Sequence, residues 1–253
     1  MPMKNILVHV DLSPGCPQRL RLAAELAQRF KANLIGTGLA DADLEATDEG
    51  GAGAMEDRFR TLLWNARLPG EWRPADGLEE VFICRQARTA DLVVVGQRDP
   101  DLTAGLGPEE VIVACGRPVL VVPYADTRTQ VGGTALIAWN GSREATRAVH
   151  DAQPLLAVSK AVTVLSVNPD PAEDWGGRGL AHDLNRRGCA AQAETMETGK
   201  ATVSEAILSR AAELRADLIV MGAFRRSPLG ELFFGGLTNA MLRDMTVPVL
   251  MVH

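Results

Sequence analysis

The sequence predicts an α/β fold that is built twice along the chain, and three repeated segments carry this prediction. Residues 90–96 reappear with two substitutions as residues 216–222. Two further pairs follow in the same order, at a nearly constant separation of about 130 residues: 6–13 with 135–142, and 117–122 with 247–252. This separation indicates one duplicated domain, because the repeats of solenoids are only about 20–50 residues long.

The duplication predicts two domains, residues 1–124 and residues 134–253. Each holds roughly 120 residues, which is enough for a separate hydrophobic core. The polar stretch 124–133, which ends in Gly132 and Gly133, is the predicted linker.

Composition limits the class of protein. Hydrophobic residues make up 46% and charged residues 23% of the chain, as is usual for a soluble globular protein. The net charge of −6 and the lack of a long basic run argue against a nucleic-acid partner. No apolar run approaches the ~20 residues of a membrane span. Met1 leads almost directly into a predicted strand, so we expect no signal peptide and a cytoplasmic location.

In the first half, short apolar runs alternate with amphipathic stretches, which predicts a parallel sheet with helices between its strands. Ser13 is expected to cap the first helix and Pro14 to lie in its first turn, with apolar side chains at helical spacing up to Phe30. The predicted strands are 5–10, 33–39, 71–75, 91–95 and 118–122, and the later helices are 54–66, 78–88 and 108–115.

The second half repeats this pattern and predicts a second five-stranded parallel sheet. Its predicted strands are 134–139, 161–168, 190–197, 217–221 and 247–252, and its helices are 142–158, 178–187, 202–214 and 233–244.

The last strand of each half opens on a proline, Pro118 or Pro248, which fits a position at the edge of a sheet. A bare apolar edge such as 247–252 would be an aggregation hazard. We therefore expect 118–122 and 247–252 to cover each other across a pseudo-two-fold axis, and a capping loop at each edge is the alternative.

A ligand of such a sheet is expected beyond the carboxyl ends of the strands, where the strand order reverses. In the second half, the loop that starts at Gly222 carries Arg225 and Arg226 and leads to Gly235 and Gly236 near a helix start. Glycines allow close approach to the backbone, and a helix start offers free N–H groups to an anion. The loop indicates a phosphate cradle, or else a flexible loop with two solvated arginines.

The first half differs at the same place. Its loop between Gly96 and the helix that starts at Pro108 is shorter, and four carboxylates lie in or near it: Asp99, Asp101, Glu109 and Glu110. Negative charge there opposes an anionic ligand. Asp11 and Asn140 occupy equivalent positions after the first strand of each half, where each side chain serves a ligand or only its own turn.

Other motifs point away from metal and hydrolase chemistry. The four cysteines, Cys16, Cys84, Cys115 and Cys189, show neither C-x-x-C nor zinc spacing and are expected to be reduced thiols. No histidine falls in either loop, and neither a Walker A motif nor a G-x-S-x-G elbow occurs.

These residues resemble the universal stress protein family in its tandem, two-domain form. The resemblance rests on the repeated segments 6–13, 216–222 and 247–250 together with Gly235 and Gly236. It implies two tandem Rossmann-like domains, each a five-stranded parallel sheet between helices, that pack through their last strands. A further homodimer of the chain is also open.

The resemblance implies that the second domain binds an adenine nucleotide, ATP, ADP or AMP, with Mg²⁺ beside it. ATP-binding members carry G-x2-G-x9-G-(S/T), and Gly222 and Gly235 match its first and third glycines. Arg225 replaces the second glycine, Gly236 replaces the Ser/Thr, and Asn140 stands where an aspartate is usual. The implied contact residues are Asn140, Gly141, Val167, Met221, Gly222, Arg225, Gly235, Gly236, Leu237 and Thr238.

Three functions are open at this point. The favoured one is a stress-response protein whose second domain binds an adenine nucleotide as a regulatory ligand. The first alternative is a module of the same family that binds no nucleotide and acts through its surfaces. The second is a slow ATPase, which the absence of an evident general base disfavours, so no residue is expected to be catalytic.

Overall fold

The chain folds into two compact units, Met1–Gln130 and Val131–His253. The computed structural model describes residues 3–39, 53–98, 106–125, 130–169, 175–224 and 235–253. Each unit is an α/β domain, as the alternating pattern predicted.

The first unit is a five-stranded sheet with the order β3-β2-β1-β4-β5, in which every neighbouring pair is parallel. Its central strands β1 and β4 are almost fully buried, so both faces of the sheet are covered. In chain order the elements are β1 (Asn5–His9), α1 (Cys16–Phe30), β2 (Asn33–Leu39), α2 (Gly53–Ala66), β3 (Gly70–Ala75), α3 (Glu79–Ala87), β4 (Leu92–Gly96), α4 (Pro108–Ala114) and β5 (Val119–Val122).

The second unit repeats the same strand order, β8-β7-β6-β9-β10, again parallel throughout. The repeated order confirms the predicted duplication of the fold. Its elements are β6 (Thr134–Ala138), α5 (Arg143–Asp151), α6 (Gln153–Leu156), β7 (Ala161–Val167), α7 (Trp175–Arg186), β8 (Ala191–Met196), α8 (Val203–Glu213), β9 (Leu218–Gly222), α9 (Gly236–Asp244) and β10 (Val249–Val252).

The repeated aspartate of the sequence has the same structural role in both units. The Asp91 carboxylate accepts hydrogen bonds from the N–H groups of Lys4 and Asn5, at 2.7 and 2.9 Å. The Asp217 carboxylate likewise accepts from three successive N–H groups, those of Gly132, Gly133 and Thr134, at 2.8–3.1 Å. Each aspartate fixes the entry of its unit's first strand beside the fourth strand. The end of the predicted linker is therefore held by the second unit.

Two helix predictions were wrong in detail. Ser13 does not cap α1, which begins later with Gly15 as its N-cap, because the Ser13 hydroxyl donates instead to Asp11 at 2.6 Å. The predicted helix 142–158 is divided into α5 and α6 around Ala152. Pro154 explains the break, since it has no N–H to continue the hydrogen-bond ladder of α5.

Other ends agree with the sequence. Ser142 caps α5 by accepting the Ala145 N–H at 3.1 Å, as its type and position suggest. The prediction that the last helix starts at residue 233 falls partly outside the described residues. Within the described part of the chain, none of the helices combines the length and the apolar character that crossing a membrane requires.

Candidate functional site

A cleft opens at the carboxyl ends of β6 and β9 in the second unit. The chain leaves β6 toward β7 and leaves β9 toward β10, on opposite sides, so these two strands flank the switch point of the sheet. The cleft has a volume of about 380 Å³, including space open to solvent. It is lined by Ala138, Trp139, Asn140, Leu165, Val167, Val203, Ile207, Met221, Gly222 and Leu237.

The structure brings half of the predicted contact residues to this cleft, namely Asn140, Val167, Met221, Gly222 and Leu237. Four others are described but do not line the cleft: Gly141, Gly235, Gly236 and Thr238. Arg225 and Arg226 lie outside the described residues, so the predicted arginine half of a phosphate cradle has no structural description.

The start of α9 is open, as the phosphate prediction requires. Gly235 is the N-cap of α9 and supplies no side-chain hydrogen bond to the first turn. Among the residues that the structure describes, no atom lies within 4 Å of a Cβ placed on Gly236. The N–H groups and the positive dipole end of this nine-residue helix can therefore face an anion.

Gly222 is required for packing. A Cβ at this position would lie 2.5 Å from the Ala145 nitrogen and 2.7 Å from the Glu144 carbonyl carbon. The end of β9 therefore touches the first turn of α5, and only glycine permits this distance. This contact places β9 and α5 side by side at the cleft.

Thr238 holds the beginning of the loop that follows β9. Its hydroxyl is buried and accepts the N–H of Phe224 at 3.2 Å. Phe224 has a left-handed backbone, with φ of 49°, at the residue where the described part of the loop stops. The implied contact between Thr238 and the nucleotide remains a prediction beside this role.

Asn140 forms the turn between β6 and α5. Its Oδ1 accepts the Ser142 N–H at 3.1 Å, and Gly141 completes the turn with φ of 70°. This is the turn-forming role that the sequence left open. The Oδ1 of Asn140 is thus used by the backbone of its own turn.

Trp139 contributes the other polar side chain of the lining. Its indole Nε1 is buried without a hydrogen-bond partner among the described residues. The Cδ1 atom beside that nitrogen lies near the place of a Cβ on Gly177 of α7, together with Val164 and Ser166, on the opposite face of β7 from the cleft residues Leu165 and Val167. The remaining lining residues are aliphatic, Met221 or glycine, so the walls of the cleft are mainly apolar.

The first unit fills the corresponding place with its own charged side chains. Arg19, which is 3% exposed, ion-pairs with Asp11 at 2.8 Å and donates from Nε to the His9 carbonyl at 2.8 Å. The His9 imidazole lies 2.7 Å from Glu79 and 3.6 Å from Asp11. A Cβ on Gly96 would collide with the Arg19 guanidinium.

The pKa of Asp11 reports this network. Burial raises the pKa of the carboxyl, but the charges of Arg19 and His9 and hydrogen bonds from Ser13 and Arg19 lower it by more. The net result is a pKa of about 2, below the usual 3.8. Asp11 is therefore an anion that stabilises the buried arginine.

This network was not predicted from the sequence. The sequence does indicate that Arg19 is buried, because Arg19 falls on the apolar face of α1 at helical spacing. A buried arginine requires a partner. The contact of His9 with Glu79 joins residues 70 positions apart and left no local signal.

The cysteines are free, as predicted, and Cys16, Cys115 and Cys189 are buried. Burial raises the pKa of Cys115 to about 11 and also raises the pKa values of Cys84 and Cys189. These groups are thiols near neutral pH. The described residues hold no cluster of histidine, cysteine and carboxylate side chains that could bind a metal ion.

Fold and cleft define the second unit as a doubly wound α/β domain with a cleft at its switch point. The sequence model of the Universal stress protein family matches residues 133–253. This second unit therefore belongs to the Universal stress protein family, and the resemblance predicted from the sequence is confirmed.

Solved structures extend the likeness in fold to the whole chain. A universal stress protein from Archaeoglobus fulgidus is 17% identical with a TM-score of 0.78, over 100% of this chain and 99% of its own. A putative universal stress protein from Pseudomonas aeruginosa is 19% identical with a TM-score of 0.67, over 99% of this chain and 93% of its own. Both likenesses show the fold.

A universal stress protein solved in complex with cAMP is 21% identical with a TM-score of 0.41, over 49% of this chain and 100% of its own. The cAMP is a ligand of that protein. Among curated proteins, none matches this chain.

Proposed function

We propose that the second unit binds a purine nucleotide as a regulatory ligand, with the base in the switch-point cleft and the phosphates at the start of α9. The observation that carries this proposal is the joint position of an apolar cleft and an uncapped helix start at the carboxyl edge of one sheet.

Each part of the cleft suits one part of a nucleotide. The aliphatic side chains of Val167, Val203 and Ile207 can pack on the faces of a flat base. The backbone N–H groups at the start of α9, which begins at Gly236, can donate to phosphate oxygens. Arg225 and Arg226 add positive charge in the sequence between these parts.

Binding is favoured over hydrolysis. The residues that line the cleft include neither a carboxylate nor an imidazole within the described part of the chain. A slow ATPase needs a group that positions or deprotonates water. The family resemblance implies ATP, ADP or AMP as the ligand, with Mg²⁺ supplied by the nucleotide. Cytoplasmic location, pairing of 118–122 with 247–252, and a homodimer remain parts of this proposal.

Isothermal titration of the full chain with ATP, ADP, AMP, GTP and ITP tests the proposal, with Gly236→Asp as the key variant. A Cβ on Gly236 meets none of the atoms that the structure describes, and an aspartate in the first turn stabilises a helix, so this variant should fold. Its carboxylate would repel a phosphate. We expect at least tenfold weaker binding for Gly236→Asp and less than a threefold change for Gly236→Ala.

Two results would contradict the proposal. No heat from any of the five nucleotides at millimolar concentration would leave the chain as an interaction module. Equal affinities of the Gly236→Asp and Gly236→Ala variants for nucleotides would show that the phosphates do not bind at the start of α9.

A further inference from the structure

We propose that the Asn185 side chain blocks the outer edge of β8 and so prevents this strand from pairing with β8 of a second copy of the chain. This inference is independent of the proposed nucleotide site. It follows from the backbone register of β8 and from the hydrogen bonds of Asn185.

β8 is an edge strand, since among the described strands it pairs with β7 alone. In a parallel pair, alternate residues of an edge strand bond to the neighbouring strand, and the residues between them direct their N–H and C=O groups outward. The Val162 N–H bonds to the Ala190 carbonyl and the Asn168 N–H bonds to the Met196 carbonyl, so the even-numbered residues of β8 face β7. The outward residues of β8 are therefore Ala191, Ala193 and Thr195.

Asn185 occupies the first of these outward positions in the way that a neighbouring strand would. Its Oδ1 accepts the Ala191 N–H at 3.1 Å, and its Nδ2 donates to the Ala191 carbonyl at 2.7 Å. Nδ2 also donates to the Ala181 carbonyl of α7 at 2.8 Å, which holds the amide in place. An approaching strand cannot bond to Ala191 without displacing this side chain.

The rest of the edge is open. Ala193 and Thr195 are exposed, and no hydrogen bond from the described residues reaches their outward groups. An exposed edge with unpaired N–H and C=O groups is a template for pairing with another chain. The state of Ala191 therefore decides how long a strand this edge can accept.

One register makes β8 complementary to itself. When two copies run antiparallel with Ala193 opposite Ala193, each Ala191 lies opposite the Thr195 of the other copy, and all the outward residues exchange hydrogen bonds. Gln192 then lies opposite Glu194, an amide donor beside a carboxylate acceptor. This register requires a free Ala191, and Asn185 occupies that residue.

The alternative register leaves Ala191 to Asn185. Centred on Glu194, it pairs only Ala193 with Thr195 and so forms fewer hydrogen bonds between the copies. Asn185 therefore blocks the register in which the two strands bond most completely.

The first unit interrupts its own edge strand at a different point. Because the Leu34 N–H bonds to the Pro69 carbonyl, the outward residues of β3 are Gly70, Trp72 and Pro74. Pro74 has no N–H to offer to another strand. It is the fifth residue of a six-residue strand, as Thr195 is in β8. Thr195→Pro thus transfers this interruption to β8 without removing a bond to β7.

Sedimentation velocity of the full chain between about 1 and 200 µM tests the inference, in about 0.3 M salt to screen exposed charges. We expect Asn185→Ala to self-associate at least tenfold more tightly than the wild type, because alanine preserves α7 and removes the amide. Adding Thr195→Pro to this variant should restore the wild-type behaviour. Hydrogen exchange of Asn185→Ala should show protection of the Ala193 and Thr195 amides that grows with protein concentration.

Thr202→Ala controls for a loss of stability in the same unit. It removes the capping side chain of α8, which accepts the Glu205 N–H at 3.2 Å, and leaves Asn185 and β8 intact. This variant should associate as the wild type does.

Four results would overturn the inference. Association of Asn185→Ala that is no tighter than that of the wild type would show that the amide blocks nothing. Equal association of Asn185→Ala and Thr202→Ala would assign the effect to lost stability. Failure of Thr195→Pro to reverse the association would place the contact away from β8. Weaker association of the wild type on Thr195→Pro alone would show that β8 already pairs in spite of Asn185.

Discussion

The two units have sheets with the same strand order, but they place different side chains at the equivalent point of each sheet. At the end of the first strand and the start of the third helix, the first unit has His9 and Glu79, which contact each other at 2.7 Å. The second unit has Ala138 and Val203 at the equivalent positions, and both line the cleft. Arg19, which is buried beside Gly96, corresponds to a small buried residue, Ala148.

The phosphate end shows the same difference. A Cβ on Gly107, the N-cap of α4, would collide with the Glu110 carboxylate and the Arg98 guanidinium. Gly236 lies one position further into its helix, since Gly235 is the N-cap of α9, and a Cβ on Gly236 would meet no atom of the described residues within 4 Å. The shared backbone therefore creates the place for a ligand, and a few side chains decide whether the protein fills that place itself.

The largest expected effect comes from removing the buried arginine of the first unit. Arg19→Ala leaves the carboxylate of Asp11 without its ion pair, and breaking a buried pair costs about 3 kcal/mol or more. Urea denaturation of the full chain should show this loss, and native-state hydrogen exchange should locate it in the first unit.

Arg60→Ala is the matched control for this prediction. Arg60 pairs with Glu56 on the surface of α2 and is 67% exposed, so its loss should cost no more than about 0.5 kcal/mol. Equal effects of the two variants would show that the charged network fills space without stabilising the first unit.

Two glycines of the second unit give the next largest effect. Gly222→Ala would press its methyl group onto the backbone of Glu144 and Ala145, and overpacking of this kind costs roughly 1–3 kcal/mol. Gly236→Ala enters open space and should change the free energy of unfolding by less than about 1 kcal/mol. Urea denaturation of both variants measures the difference. Similar values would contradict the close contact between β9 and α5.

Low pH should destabilise the first unit through protonation of Asp11, and the second unit has no such group at the equivalent turn. Its folded pKa of about 2 lies below the usual 3.8, so the stabilisation is complete above pH 4 and disappears as the pH falls toward 2. The shift corresponds to about 2 kcal/mol. Asn140, at the equivalent turn of the second unit, does not titrate.

The variant Asp11→Asn measures this stabilisation by the ionised carboxylate of Asp11. Urea denaturation at pH 5, 4, 3 and 2 should show the wild type's advantage over Asp11→Asn shrinking across this range. A difference between the two proteins that stays constant with pH would contradict a depressed pKa for Asp11.

The sequence predicted the elements well because their signals are local. Apolar runs such as Leu92–Gly96 predict buried parallel strands. Ser142 predicts a helix start because serine is a preferred N-cap residue. The capping prediction for Ser13 was wrong because α1 begins two residues later, with Gly15 as its N-cap, and the Ser13 hydroxyl donates to Asp11. The charged network of the first unit was not predictable, because Arg19, His9 and Glu79 come together only after the sheet has formed.

The candidate site was predictable in part. Asn140 and Gly222 were found because they end the first and fourth strands, and the rule for switch points needs only the strand order. Val203 and Ile207 were missed because they reach the cleft from α8, a helix whose sequence carries no ligand-binding motif.

The smallest expected effect concerns the starts of two equivalent helices, α3 in the first unit and α8 in the second. Thr202 and Glu205 form a reciprocal capping box at α8, whereas α3 has Leu78 as its N-cap, 73% exposed and without a capping hydrogen bond. Thr202→Ala should therefore cost about 1 kcal/mol, and Leu78→Ser should gain about 0.5 kcal/mol. Urea denaturation resolves both signs. A loss on Leu78→Ser would mean that Leu78 stabilises the first unit by contacts that its exposure does not suggest, and that the two helix starts differ for a reason other than capping.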